Sequence, residues 1–114
     1  MKTVNLLKEA NALQCLYVYN KVGILNEHVL SLVQVENRTL DFHIHETSDE
    51  LFYVIEGHFI LETKDNQFPV QAGEFIIVPK GVKHRPVVNS LTKFLMIELA
   101  VTLNKENSGD LYEG

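Results

Sequence analysis

Cysteine occurs once in this 114-residue chain, as Cys15, so no disulfide can form within it. That excludes the small disulfide-stapled secreted folds and fits a cytoplasmic setting. Long apolar runs are also missing. Runs such as Phe75 to Val78 and Phe94 to Ile97 fall far short of the roughly 20 residues a membrane-spanning helix needs. The first residues, Met1-Lys2-Thr3-Val4-Asn5, show no apolar core followed by a small-residue cleavage site. No signal peptide and no membrane partner are expected. Basic charge is scarce: ten Lys and Arg stand against fifteen Asp and Glu, a net charge of −5, and the ten are scattered. A nucleic-acid binder needs a basic footprint to displace counterions from phosphates, so no nucleic-acid partner is expected. What remains is the composition of an ordinary globular protein, 46% apolar and 22% charged. The length suits one hydrophobic core and one domain, residues 1–114.

Long amphipathic helices are lacking too. Short strand-like runs separated by turns take their place. Leu13 to Tyr19 is rich in β-formers, and Val29 to Val35 alternates. Glu36-Asn37-Arg38 reads as a turn before a strand over Thr39 to His45. Further strands are expected over Leu51 to Ile55, His58 to Thr63, Phe68 to Val70, Phe75 to Val78, Val82 to Val88 and Leu91 to Val101. Turn signals every roughly 8–12 residues predict an all-β sandwich or barrel. Residues 3–12 fit either a short helical turn or an edge strand. The polar tail, residues 104–114, is expected to be mobile unless it packs on a partner. Leu51 to Ile55 and Phe94 to Ile97 are apolar at consecutive positions. Successive side chains on a strand point to opposite faces, so both faces need cover.

His43 and His45 stand two apart on an expected strand. That spacing puts both imidazoles on one face, about 6–7 Å apart along the backbone, where they can converge on one ion. Glu50 follows the loop Glu46 to Asp49, and a hairpin there would set it beside the pair. His84 comes just after Pro79-Lys80-Gly81, a turn able to aim the next strand. Residue by residue, a second reading stays open: surface histidines, a solvated loop carboxylate and ordinary turn glycines.

The combined pattern resembles the cupin family, in its small microbial, conserved-barrel type. His43-Ile44-His45, four residues, Glu50, six residues, Gly57 matches nearly all of the first cupin motif. Gly73, five residues, Pro79-Lys80-Gly81, two residues, His84 matches nearly all of the second, and the spacer between Gly57 and Gly73 is fifteen residues. Asn37 stands where the pattern often begins with glycine, and Val88 where it often ends with Asn. The resemblance implies a double-stranded β-helix, the jelly-roll (RmlC-like) barrel, with its core over residues 28–101. It implies a metal site of His43, His45, Glu50 and His84, holding one divalent transition-metal ion (Mn, Fe, Co, Ni, Cu or Zn) per chain. Three nitrogens and one oxygen suit all of these, and on a six-coordinate ion they leave positions open for a substrate.

The expected function is a metal-dependent enzyme acting on a small organic molecule, of dioxygenase, isomerase or decarboxylase type. The alternatives are a non-catalytic metal or small-ligand binder, and a metal-free sugar isomerase or epimerase with a histidine base. Phe52 and Val54 share the parity of Glu50 and should line the cavity, with Tyr53 facing the other way. Arg85 should point outward, His28 and His58 should lie on the surface, and Cys15 should sit in the core or an interface. The outward set Leu51, Tyr53 and Ile55 predicts an apolar patch and a homodimer.

Overall fold

The computed structural model describes residues 1–100 and the two-residue strand Leu111–Tyr112. One short helix, α1 (Leu6–Asn11), precedes ten strands: β1 (Val18–Leu25), β2 (His28–Val35), β3 (Arg38–Thr39), β4 (Glu50–Glu56), β5 (His58–Glu62), β6 (Gln67–Gln71), β7 (Phe75–Val78), β8 (Arg85–Val88), β9 (Thr92–Leu99) and β10 (Leu111–Tyr112). They form a six-stranded sheet in the order β10-β1-β2-β9-β4-β7 and a four-stranded sheet in the order β3-β8-β5-β6. All pairings are antiparallel except β1 with β10. The all-β jelly roll expected from the motifs is the fold observed.

The two sheets meet over the inward face of each strand. On β4, Glu50, Phe52 and Val54 are buried while Leu51, Tyr53 and Ile55 are half-buried, as period-two alternation requires. Phe52, Phe59 and Phe94 form the centre of the core, with ring centroids 4.8–6.1 Å apart and tilted or edge-on. Such arrangements suit the quadrupoles of aromatic rings. The corner between β4 and β5 depends on Gly57, whose φ is +90°. A Cβ there would stand 2.6 Å from the Leu91 carbonyl oxygen, so only glycine fits.

The ambiguous N-terminal stretch is a helix. Asn5 caps it, its side-chain oxygen accepting from Lys8 N at 3.0 Å. The helix lies across β2, β4 and β9, with Ala10 fully buried, and covers part of the outer face of the large sheet. The chain's own N-terminus therefore supplies some of the cover that the double-sided strands called for.

Several strand boundaries differ from expectation. Leu13 to Tyr17 is irregular, and the strand begins at Val18 and runs on to Leu25. The β-formers there lose to a competing bonding pattern: Gln34 Nε2 donates to the carbonyls of both Leu13 and Cys15, and Tyr17 N donates to Gln34 O. Cys15 is exposed, not in the core. The expected strand from Thr39 to His45 shrinks to Arg38–Thr39 plus a single bridge between His43 and His84. The strand expected from Val82 starts at Arg85. Of the expected tail, residues 104–110 and 113–114 lie outside the described residues, as does Val101.

Candidate metal centre

His43 and His84 reach each other through that bridge. His43 N donates to His84 O and His84 N donates to His43 O, both at 3.0 Å. Glu50 opens β4 on its inward face. His45 is held by Gly81 N, which donates to its carbonyl at 2.9 Å, and Lys80 N donates to Asp49 Oδ1 at 2.9 Å. The Pro79-Lys80-Gly81 turn is thereby pinned to the loop between His45 and Glu50. Ser48, also buried, accepts from Leu99 N at 2.9 Å and ties the same loop to β9.

The four expected site residues come together. One donor atom from each of His43, His45, Glu50 and His84 lies within 4.8 Å of the others. His45, Glu50 and His84 are each at most 2% exposed, while His43 is half-buried and forms the solvent side. Ring centroids are 4.5–5.4 Å apart, and His84 Nε2 stands 3.0 Å from Glu50 Oε1. His45 Nε2 is 3.5 Å from Glu50 Oε2.

The tautomers follow from the backbone. His43 Nδ1 lies 2.8 Å from Asp41 O, and His84 Nδ1 lies 2.8 Å from Val82 O. A carbonyl only accepts, so both Nδ1 atoms carry hydrogen and a neutral ring presents a lone pair at Nε2. In His84 that lone pair faces a carboxylate oxygen, which also accepts. Two acceptors 3.0 Å apart need a positive species between them, either a proton or a metal ion. Around an ion with bonds near 2.1 Å, neighbouring donors stand about 3.0 Å apart and opposite donors about 4.2 Å. The His84–Glu50 approach of 3.0 Å matches the first spacing and no donor pair is more than 4.8 Å apart, so this donor set fits a divalent transition-metal ion.

Electrostatics point the same way. Burial alone would raise the Glu50 carboxyl. Hydrogen bonds with His45, His84 and Glu98, together with the charge on His45, outweigh it and hold Glu50 well below the usual carboxylate range. Burial lowers His43, with neighbouring His84 and His45 adding to the effect. Its Asp41 hydrogen bond and Glu50 oppose it. A charged carboxylate beside a neutral imidazole is the ligand form a metal needs.

Sequence reasoning missed Glu98. It is 1% exposed on β9, on the inward parity of Phe94 and Met96, and hydrogen-bonds to Glu50. The signal was present: a carboxylate interrupting the inward row of an otherwise apolar strand. Arg85 points outward as expected, pairing with Glu62 at 2.6 Å and lying over the Phe42 ring. His58 is exposed and His28 half-buried, both away from the cluster.

The family model for the cupin domain matches residues 30–99, and the chain belongs to that family. It is 35% identical over 85 residues to an uncharacterized protein, YdbB, of Bacillus subtilis, covering 74% of each chain. It superposes on a cupin-2 domain containing protein from Shewanella frigidimarina with a TM-score of 0.79 at 29% identity, covering 84% of this chain and 93% of the other. It is also 30% identical over 99 residues to 3-hydroxyanthranilate 3,4-dioxygenase of Danio rerio. That match covers 83% of this chain and 34% of the dioxygenase. Among the described residues no helix is long and apolar enough to cross a membrane.

Proposed function

We propose that this chain is a metal-dependent cupin enzyme in which His43, His45, Glu50 and His84 hold one divalent transition-metal ion. The observation that carries the reading is the His84 Nε2 to Glu50 Oε1 approach at 3.0 Å, with His84 Nδ1 already committed to Val82 O. A bound ion would supply Lewis-acid or redox chemistry to a small organic molecule. The protein's part is to keep Nε2 lone pairs of His43 and His84 aimed inward, keep Glu50 ionised, and leave an approach on the half-buried His43 side. Similarity to a dioxygenase supports the enzyme reading over a non-catalytic binder. The chain spans about a third of that relative, so its reaction is not carried across.

Elemental analysis tests the site. Wild type should hold close to one metal ion per chain, and His45→Ala little. Equal metal in the two proteins would sink the assignment. A structure of the loaded protein separates enzyme from binder: a water or small anion on the ion supports catalysis, and an ion enclosed by protein ligands supports a binding role.

The chain is also proposed to act as a homodimer. Phe75 and Ile77 on β7 are 60% and 51% exposed. They pair with Tyr53 and Leu51 and extend the same outward apolar face. An exposed apolar sheet face of this kind marks an interaction site. Light scattering decides: a mass near the 13.0 kDa of one chain refutes the dimer. Twice that supports it, and Ile77→Lys should then shift the mass towards monomer.

A further inference from the structure

We propose that Asp49 is a positioning residue for the metal cluster: it clamps the Pro79-Lys80-Gly81 turn to the loop between His45 and Glu50 and so fixes the rotation of the His84 ring. The proposal rests on the metal-dependent reading, since the ring it positions is one of the converging donors. Asp49 stands next to Glu50 in the chain, yet it is exposed where Glu50 is buried, and it is absent from those donors. Its carboxylate turns instead to a backbone amide. Lys80 N, 31 residues further along the chain, donates to Asp49 Oδ1 at 2.9 Å.

The turn has two amides to satisfy. Val82 N donates to Pro79 O at 3.3 Å, and Gly81, at φ +84°, has the positive φ that the third residue of a type II turn requires. Such a turn uses the N–H of its last residue and leaves those of its two central residues without partners of their own. Both are taken by the loop that carries the other ligands: Lys80 N by Asp49 and Gly81 N by His45 O, each at 2.9 Å. The turn leads directly into Val82, whose carbonyl oxygen lies 2.8 Å from His84 Nδ1. The His84 backbone is fixed independently, by its paired bonds with His43 at 3.0 Å. What depends on the turn is the ring. A carbonyl acceptor at Nδ1 sets its tautomer and its rotation, and with them the aim of Nε2 towards Glu50 Oε1. Removing the Asp49 carboxylate frees one of the two staples on the turn. The Val82 carbonyl can then tilt and the ring can rotate, while the bridge to His43 stays in place.

The test is competition titration of cobalt(II) against a chelator. Asp49→Ala should weaken binding about tenfold, the low end of the loss expected when an outer partner of a metal ligand is removed. Asp49→Asn keeps an oxygen for Lys80 N and should stay within about twofold of wild type. In a His84→Ala background, Asp49→Ala should cost less than about twofold, because the ring it positions is gone. Unchanged affinity in Asp49→Ala overturns the proposal. So do equal losses in Asp49→Ala and Asp49→Asn, which would mean that charge alone attracts the ion. A loss that persists without His84 also overturns it, since Asp49 would then act on His45 or Glu50. Should Asp49→Ala fail to fold, Asp49→Ser, one bond too short to reach Lys80 N, takes its place. Proton spectra of the metal-free protein separate this inference from the metal reading. The His84 Nδ1 proton, assigned by its disappearance in His84→Ala, should exchange slowly in wild type and be lost in Asp49→Ala. If the protein takes up no cobalt, the metal reading fails and this signal decides alone: absent from wild type, or unchanged in Asp49→Ala, it overturns the positioning role. One ion per chain, bound equally well with and without the Asp49 carboxylate, defeats this inference and leaves the metal reading standing.

Discussion

Two layers of this barrel lie one strand step apart and have opposite chemistry. In the first, Glu50, His84 and Glu98 face inward, all buried and all polar. In the second, Phe52 and Met96 stand two residues away on the same strands, β4 and β9, and Pro86 stands two residues past His84 on β8. Strand parity delivers both layers with equal certainty, because it depends only on the pleat. Their energetics differ. The apolar layer gains from burial and close packing. The polar layer costs free energy to desolvate and recovers it through hydrogen bonds or a bound cation. The apolar layer should therefore carry the fold and the polar layer the function.

The sharpest way to break that division is to remove one side chain from each layer's neighbourhood. Phe59→Ala empties a site that is 1% exposed between Phe52 and Phe94. It should cost about 3–5 kcal/mol by denaturant unfolding. His45→Ala, measured with the metal stripped, should cost about 1–2 kcal/mol, because Glu50 keeps its His84 and Glu98 contacts. If His45→Ala destabilises the stripped protein as much as Phe59→Ala does, the polar layer is structural and the contrast fails.

A smaller effect sharpens the polar layer itself. Glu98 touches Glu50 and is absent from the cluster of converging donors. It should orient the ligand without being one. Removing an outer partner of this sort typically weakens metal affinity about 10–100-fold. Competition titration against a chelator should show that loss in Glu98→Leu and most of the affinity restored in Glu98→Gln, which keeps a hydrogen bond. Identical losses in both variants would mean that shape alone matters there.

The smallest expected effect is on pH dependence in the stripped protein. His43 is held below its ordinary 6.5 and Glu50 below its ordinary 4.5. Each binds protons more readily in the unfolded chain, so stability falls with acidification. The His43 contribution starts to be lost as pH drops below 6.5, and that of Glu50 as pH drops below 4.5. Thermal melts between about pH 7.5 and pH 4 should show a decline in two stages, with the upper stage missing in His43→Gln. A level profile down to about pH 5 would contradict the burial assigned to His43.

The sequence by itself determined the order and parity of the main strands and the glycine corner at Gly57, and its resemblance to the cupin motifs named the clustered donors. These are local properties: pleat alternation, turn chemistry, and residue types at set spacings. It left residues 3–12 undecided and read Leu13 to Tyr19 as a strand. Helix α1 needs the sheet face beneath Ala10, and the carbonyls of Leu13 and Cys15 take their hydrogen bonds from Gln34, nineteen or more residues away. Glu98 could be placed on a strand from sequence. Only the packing of β9 beside β4 set it against Glu50. The same holds for Tyr17 and Arg38, which meet because the turn at Asn37 returns the chain over the end of the barrel. Contacts of this kind depend on distances between segments remote in the chain, and those exist only once both sheets have closed on one core.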